Sequence, residues 1–304
     1  MNASAIEVCA VTKDFAALRA VDGVDLAVDA GELFGLIGHN GAGKSTLFRM
    51  MLGLIAPSAG EIRVLGQSVH GDGFRDVRRK VGYLPENVVF YDNLTGIETL
   101  RFFARMKGAD ETECSGLLER VGLAAAAGRP VGQYSKGMRQ RLGFAQALLG
   151  KPALLFLDEP TTGLDPEAIH EFYQAVQNLR ADGVTIILSS HILTEIHERV
   201  SRLAILRSGR LQATGSVHEL REKMDLPLSM VLLLAEGAPL ADIQRDLVAA
   251  GAEALQSDDT ELKFSCARKS KMSVLAAVAA LRETVRDVHV REPSLEDVYL
   301  GYTA

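Results

Sequence analysis

Tryptophan is absent from this 304-residue sequence, and cysteine occurs only three times. Cys9, Cys114 and Cys266 lie far apart, and no two of them have the Cys-x-x-Cys spacing of a zinc site or a redox pair. Such scattered cysteines are typical of reduced cytosolic thiols. The pattern therefore excludes a disulfide-stapled scaffold and a cysteine-based metal cluster.

Long apolar runs and an excess of basic charge are also lacking. The longest apolar region, residues 142–157, is interrupted by Gly150, Lys151 and Pro152, whereas a membrane-spanning helix needs roughly 18 to 20 apolar residues. The amino terminus has no basic segment followed by an apolar one, so no secretory signal is expected. Acidic residues outnumber basic ones by 39 to 33, for a net charge of −6. We therefore expect no membrane span within the chain and no nucleic acid as its main partner.

One phosphate-binding motif is present in full. The strand-like pair Leu33 and Phe34 leads into a glycine-rich segment, and a helical run from Leu47 follows it. The segment matches the P-loop pattern Gly-x-x-x-x-Gly-Lys-[Ser/Thr], and its members are Gly38, His39, Asn40, Gly41, Ala42, Gly43, Lys44, Ser45 and Thr46. Strand, loop and helix in this order predict a nucleotide site.

The residue types of this loop suit that task. Glycines let the backbone curl so that several N–H groups face one anion, and the helix N-terminus adds partial positive charge. Lys44 can reach the β- and γ-phosphates, and the Ser45 hydroxyl can ligate Mg²⁺. The alternative is a glycine turn without a ligand, which the complete pattern argues against.

Two carboxylates follow a buried-strand pattern further along the chain. The near-continuous apolar run at residues 153–157 ends in Asp158 and Glu159. Open α/β sheets place their ligands at the C-terminal ends of the strands. Asp158 can therefore hold Mg²⁺, and Glu159 can orient and deprotonate a water. A solvated strand end is the alternative.

Two further side chains are candidates for nucleotide binding because of their positions in the sequence. His191 ends the apolar strand at residues 184–190, from which it can reach a γ-phosphate, although a lone histidine is more often structural. Phe15 precedes the P-loop and can stack on an adenine ring, although a core or surface aromatic is the plainer interpretation.

Ser135 and Gly137 stand at the start of an amphipathic run that reaches Leu149. A serine there is a good N-cap, and a serine and a glycine at a helix start can also form a second anion site. This segment alone leaves both interpretations open.

Together these motifs resemble an ABC-transporter ATP-binding subunit over residues 1 to about 220. The resemblance identifies Walker A (38–45), Walker B (154–158), the glutamate after it and the switch histidine. It implies that Ser135, Lys136 and Gly137 form the signature segment and that Asp165 belongs to the D-loop. It also implies that Phe15 stacks on adenine and that ATP and Mg²⁺ are the cofactors.

Two departures from the family pattern stand out. Glu86 occupies the position of the usual Q-loop glutamine, so a carboxylate faces the predicted Mg²⁺ site and is itself a candidate ligand. The signature segment has Lys136 between Ser135 and Gly137, and Met138 replaces the usual glutamine. Both differences alter charge at positions that the resemblance assigns to nucleotide binding.

The resemblance also implies partners. Two cassettes of this family face each other head to tail, so a homodimer is expected, together with a separate integral membrane permease. The ending at residues 291–300 is similar to cassettes that serve permeases of the ABC-2 type. Segments 38–41, 82–91 and 134–150 are similar to the cassettes of transporters that mature the copper sites of nitrous oxide reductase. That likeness implies a periplasmic partner, a peripheral location at the cytoplasmic face of the inner membrane, and no copper ligands in this chain.

The expected fold is α/β, with a P-loop ABC ATPase domain over residues 1–220 and a small α+β domain over 229–304. The first combines a parallel core sheet, an antiparallel β layer and an inserted helical subdomain at about 87–150. Residues 216–229 look like a linker, and the βαββαβ order that follows predicts a ferredoxin-like domain. Alternatives are an ABC-2 exporter of other cargo, a DNA-associated ABC ATPase, and a P-loop kinase. The DNA-associated class inserts long coiled coils, and this chain has no sustained heptads.

Overall fold

A computed structural model describes residues 4–196, 199–258, 260–281 and 284–303 of the chain. They form two compact units that divide between Thr214 and Gly215. The sequence predicts this boundary at residue 220 and a linker over 216–229. That linker is wrong, because Ser216 and Glu219 form a capping box that starts a helix at Val217.

The first unit contains ten strands and seven helices within the described residues. The strands are β1 (Ser4–Phe15), β2 (Leu18–Asp29), β3 (Leu33–Ile37), β4 (Ala59–Val64), β5 (Gln67–Ser68), β6 (Val81–Leu84), β7 (Leu154–Asp158), β8 (Thr185–Ser190), β9 (Arg202–Arg207) and β10 (Arg210–Gly215). The helices are α1 (Lys44–Met51), α2 (Phe74–Arg79), α3 (Gly96–Lys107), α4 (Glu113–Arg120), α5 (Lys136–Leu148), α6 (Pro166–Ala181) and α7 (Leu193–Ile196).

A six-stranded sheet in the order β10-β9-β3-β8-β7-β6 forms the centre of this unit. The pairs β3–β8, β3–β9, β7–β8 and β6–β7 are parallel. Every residue of β3, β7 and β8 is buried, as expected for parallel strands covered on both faces. Their C-terminal ends therefore meet at one edge of the sheet.

A second sheet, β2-β1-β4-β5, is antiparallel and lies in the same unit. It shares one buried apolar cluster with α1 and the core sheet, where the Phe48 and Phe156 rings meet edge to face at 5.3 Å. The predicted combination of a parallel core sheet and an antiparallel β layer is therefore confirmed.

The helical block between β6 and β7 contains α3, α4 and α5. A capping box of Thr95 and Glu98 starts α3, and Gly108 ends it with φ +73°. At 16 residues, α6 is the longest helix in the described ranges. None of the helices there is both long enough and apolar enough to cross a membrane.

The second unit has the βαββαβ order that the sequence predicts, flanked by two more helices. Its elements are α8 (Val217–Met224), β11 (Leu228–Leu234), α9 (Leu240–Ala249), β12 (Ala252–Ser257), β13 (Glu261–Cys266), α10 (Lys271–Ala280), β14 (Val285–Arg291) and α11 (Leu295–Thr303). The strands pair antiparallel in the order β12-β13-β11-β14. Alternate side chains of β11 and β13 are buried, which is the period-two pattern of a sheet with one covered face.

Lys107 ties the ends of two helices in the helical block. Its half-buried ammonium donates to the carbonyl of Leu149, which follows α5, at 2.6 Å. Burial lowers the pKa of Lys107 to about 8, although Glu113 opposes that shift. Folding thus disfavours the charged form of the Lys107 side chain.

We therefore expect Lys107→Met to change how stability depends on pH. Because the folded-state pKa lies below the ordinary value, the unfolded chain binds more protons between about pH 8 and 10.5. The free energy of unfolding of the wild-type protein should rise over that window relative to Lys107→Met, by roughly 1 kcal/mol after allowance for partial solvent exposure. Chemical denaturation of both proteins at several pH values measures this, and parallel profiles would contradict it.

Candidate functional site

The loop between β3 and α1 has a backbone that only glycine permits at two positions. Gly43 has φ +106°, and a Cβ there would lie 2.6 Å from the carbonyl oxygen of Ala20. A Cβ at Gly38 would lie 2.5 Å from the carbonyl oxygen of Leu206. The neighbouring strands thus hold this loop in a tight curl that any side chain at these two positions would open.

The amino end of α1 is suited to an anion. Gly43 caps it without any side-chain hydrogen bond, and its first turn contains no acidic residue. The first N–H groups of a helix have no partner within the helix, and Leu47 is the first residue to bond back, to Gly43 at 2.9 Å. A curled loop, free helix N–H groups and the helix dipole fit a phosphate group.

Lys44 is buried at this same helix start, with 6% of its surface exposed. Its Nζ donates to the carbonyl oxygen of Gly38 at 2.6 Å and lies 3.4 Å from that of His39. Its third neighbour is Oε1 of Glu159 at 3.3 Å. That oxygen has no hydrogen bond within the described chain, so the Lys44 ammonium is the group that balances its charge.

Glu159 also contacts His191, the predicted site residue at the end of β8. Its Oε2 accepts from Nδ1 of His191 at 2.7 Å and lies 3.3 Å from the His191 backbone nitrogen. Lys44 follows β3, Glu159 follows β7 and His191 follows β8, so the parallel sheet brings the three together at one edge. Open α/β sheets bind their ligands at the C-terminal ends of the strands, so this edge of the sheet is where a ligand is expected.

Asp158, the predicted Mg²⁺ ligand, is 3% exposed at the end of β7. Ser189 donates its hydroxyl to Oδ1 of Asp158 at 2.6 Å and accepts from the backbone nitrogen of Glu159 at 3.0 Å. Ser189 therefore fixes both carboxylate residues, and sequence reasoning missed it. The available signal was its position on the strand just before His191.

Glu86 lies two residues after the end of β6, which runs parallel to β7. Burial raises the pKa of Tyr83 to about 12, with smaller contributions from the charges of Asp158 and Glu86 and an opposing one from Arg49. Glu86 itself is exposed. Because β6 and β7 end at the same edge of the sheet, Glu86 lies at the same end as Asp158.

Phe15 lies at the end of β1 with 45% of its surface exposed. The ammonium of Lys13 is 5.0 Å from the centre of its ring. The face of the ring therefore already attracts a cation, and the side chain is not part of the buried core.

The residues predicted to form the signature segment and the D-loop make a separate group. Ser135 accepts from the backbone nitrogen of Met138 at 3.2 Å, and Asp165 accepts from that of Ala168 at 2.8 Å, so each caps a helix. The stem of Lys136 lies so close to Gly163 that a Cβ there would be 2.7 Å from it. Within the described residues, the hydrogen bonds of Ser135 and Asp165 are helix caps and do not reach Lys44 or Glu159.

Comparison with known proteins decides the family. A profile of the ABC transporter family matches residues 21–162. The daunorubicin resistance ATP-binding protein DrrA3 of Streptomyces coeruleorubidus is 34% identical over 316 residues, covering 100% of this chain and 97% of that protein. The chain belongs to the ABC transporter ATP-binding proteins. The predicted family is thereby confirmed.

Other matches agree with this family. ATP-binding cassette sub-family A member 7 of Mus musculus is 36% identical over 297 residues, which are 93% of this chain. The chain spans only 14% of the length of that relative. A solved ATP-binding subunit of an ABC transporter is 34% identical, with a TM-score of 0.68 over 80% of this chain and 99% of that one. The cassette fold predicted for the chain is thereby confirmed.

The buried ion pair generates a stability prediction for the chain without nucleotide. Lys44→Met should lower the free energy of unfolding by roughly 2 to 4 kcal/mol, because it leaves the buried Glu159 carboxylate without its cation. Adding Glu159→Gln should recover part of that loss, since a neutral amide is easier to bury than a lone charge.

Chemical denaturation measures this cycle, and the exposed pair of Arg63 and Glu61 at 3.0 Å is the matched control. Arg63→Met should cost less than about 1 kcal/mol. If the losses at Lys44 and Glu159 simply add, the two charges do not depend on one another.

Proposed function

We propose that this chain is the ATP-hydrolysing motor subunit of an ABC transporter and that it drives a separate membrane permease. The observation that carries the proposal is the meeting of Lys44, Glu159 and His191 beside an uncapped helix N-terminus. An anion site, a cation and a buried carboxylate with a histidine partner are what phosphoryl transfer to water requires.

The nucleotide would be held by the curled loop and by groups around it. The backbone of residues 38–46 and the Lys44 ammonium bind the phosphates, and Phe15 offers its exposed face to the adenine. Ser45 and Asp158 would be ligands for Mg²⁺, and Glu86 would be a third candidate ligand on the same side. The metal would offset phosphate charge that the single buried lysine cannot balance alone.

Binding of ATP would change the contact between Lys44 and Glu159 and so prepare hydrolysis. The γ-phosphate of ATP and the Glu159 carboxylate compete for the same ammonium, and the phosphate carries more charge. Binding of ATP therefore releases Oε1 of Glu159, which is then able to accept a proton from the attacking water. His191 holds the other carboxylate oxygen at 2.7 Å and so keeps the base oriented.

A second copy of the chain would complete each site. Cassettes of this family work as dimers with a membrane permease. Ser135 and Lys136 are exposed. In the part of the chain that the structure describes, Ser135 and Asp165 hydrogen-bond to helix backbones and not to the P-loop. We infer that Ser135, Lys136, Gly137 and Asp165 face the ATP that the Lys44 of the second copy holds, in a head-to-tail homodimer.

The permease would dock on the helical block. Four apolar side chains on and before α3 are well exposed, namely Val89 (84%), Tyr91 (63%), Phe102 (39%) and Met106 (71%). The rings of Tyr91 and Phe102 pack edge to face at 6.1 Å, so they form one patch. An amphipathic cytoplasmic helix of the permease fits such a patch. The chain would then lie peripherally at the cytoplasmic face of the inner membrane.

For the task of this transporter, we propose the maturation of the copper sites of nitrous oxide reductase. The support is the likeness of segments 38–41, 82–91 and 134–150 to NosF, the cassette of that system. The partners would be a NosY-like permease and a NosD-like periplasmic protein. Copper would not bind this chain, whose Cys114 and Cys266 are buried and whose Cys9 stands alone at the surface.

Export of an organic cargo is the second candidate. The full-length similarity to a daunorubicin resistance ATP-binding protein favours it, because that relative matches both units of the chain. The cassette chemistry is the same in both candidates, so only the permease and its cargo distinguish them.

The trans arrangement predicts how nucleotide controls assembly. Glu159→Gln should lower ATP turnover by roughly 10²- to 10⁴-fold, because the base is lost. It should still bind ATP, since the change removes one negative charge beside the γ-phosphate. The ATP-bound state should therefore persist as a dimer, and the protein should be monomeric with ADP. Light scattering with ATP and Mg²⁺ measures this.

Ser135→Arg in the Glu159→Gln background is the control for the assembly test. A bulky side chain at the signature blocks the phosphate from the partner side, so this variant should stay monomeric while it still binds ATP. A monomer in every nucleotide state, even with the permease present, would rule out the trans site.

The cargo is tested in cells that depend on nitrous oxide reductase. With Glu159→Gln in place of the wild-type chain, the reductase should accumulate without its copper, as measured by metal content and absorbance. The surface variant Arg63→Met should leave the reductase fully loaded. A copper-loaded reductase in the Glu159→Gln cells would favour the exporter of organic cargo.

A further inference from the structure

The turn that carries the proposed general base has a strained backbone. Glu159 has φ +47°, in the left-handed region that a residue with a side chain seldom adopts. Such a conformation persists only where the surroundings impose it. One restraint is the hydroxyl of Ser189, which accepts from the Glu159 backbone nitrogen at 3.0 Å.

A second restraint comes from the signature helix. Gln140 lies on α5, is 5% exposed, and donates from Nε2 to the carbonyl oxygen of Pro160 at 3.0 Å. A carbonyl oxygen can only accept, so the side-chain nitrogen of Gln140 must face it. The bond crosses 20 residues of sequence and joins α5 to the residue that follows Glu159.

The two restraints act on consecutive residues of the turn. Ser189 on β8 holds the backbone nitrogen of Glu159, and Gln140 on α5 holds the carbonyl oxygen of Pro160. The buried Pro160 carbonyl would lose its partner if α5 moved away, at the full cost of an unpaired polar group. The position of α5 and the conformation at Glu159 are therefore linked.

We propose that Gln140 is the positioning residue through which the signature helix sets the carboxylate of Glu159. Ser135 starts α5 and Gln140 lies five positions later on the same helix. A nucleotide that engages Ser135 from a second copy thereby acts on the Pro160 carbonyl and on the base before it. This inference rests on the proposed function, since it assigns Glu159 the role of general base.

Gln140→Met tests the proposal, because methionine has a similar length and no donor. The expected result is a fall in kcat of roughly 10- to 100-fold with little change in KM for ATP. Binding of a non-hydrolysable ATP analogue should stay within about twofold of the wild-type value, since Gln140 does not touch the nucleotide site. A rise in KM with kcat unchanged would overturn the proposal.

Gln140→Glu provides a readout that a purely structural role would not give. An ionised carboxylate cannot donate to the Pro160 carbonyl, whereas a protonated one can. The activity of Gln140→Glu relative to the wild type should therefore rise as the pH falls. A ratio that is constant across the pH range would count against the hydrogen bond as the operative contact.

Thr99→Val is the matched control. Thr99 is 1% exposed on α3, and its hydroxyl is buried without a hydrogen bond in the described chain. Thr99→Val thus changes a buried side chain of the same helical block without contacting the turn at Glu159 and Pro160, so kcat should be unchanged. An equal loss in Thr99→Val and Gln140→Met would mean that the block is merely destabilised.

A double variant separates this inference from the proposed function. If Gln140 acts through Glu159, then Gln140→Met should cause little further loss of turnover in the Glu159→Gln background. A full additional loss there would overturn the inference while leaving the ATPase intact. Absence of any ATP turnover by the wild-type protein, even with its permease, would instead refute the proposed function.

Discussion

The buried contact between Lys44 and Glu159 is the constraint on which the site depends. Both side chains are almost fully buried, and their charged atoms lie 3.3 Å apart. Neither charge is stable in such a place alone, so each residue requires the other. The contact also joins the loop after β3 to the turn after β7, and His191 extends it to the end of β8. One chain of polar contacts thus spans three neighbouring strands.

The surrounding residues hold Lys44 and Glu159 in this contact. Gly38 and Gly43 allow the loop to curl until the Lys44 ammonium meets the Gly38 carbonyl at 2.6 Å. Ser189 and Gln140 hold the turn in which Glu159 has its strained backbone. In the proposed function, the γ-phosphate of ATP binds the Lys44 ammonium and releases the Glu159 carboxylate, so that ATP binding itself activates the base. The proposed mechanism thus depends on ATP separating the buried pair of Lys44 and Glu159.

Much of this arrangement could be predicted from the sequence, because it is encoded locally. The P-loop pattern, the apolar run before Asp158 and the capping box at Thr95 each depend on residues within one turn or strand. Ser189 and Gln140 escaped prediction because their partners lie 31 and 20 residues away, and no local spacing signals such contacts. The helix after Ser216 was missed because its polar composition outweighed its capping box. The roles of Phe15 and Ser135 remain predictions, since each concerns a nucleotide or a second copy.

The central functional claim is that the Lys44 of one copy and the signature segment of another share each ATP site. Its most direct test is the ATP turnover of a mixture of two inactive variants. Ser135→Arg keeps its own Lys44, and Lys44→Ala keeps its own signature segment, so a mixed dimer contains one intact composite site. Each variant alone should be inactive, and turnover should return when they are mixed, in proportion to the less abundant one. If each copy instead forms its site from its own signature and P-loop, every site carries a defect. A mixture as inactive as its components would therefore contradict the account.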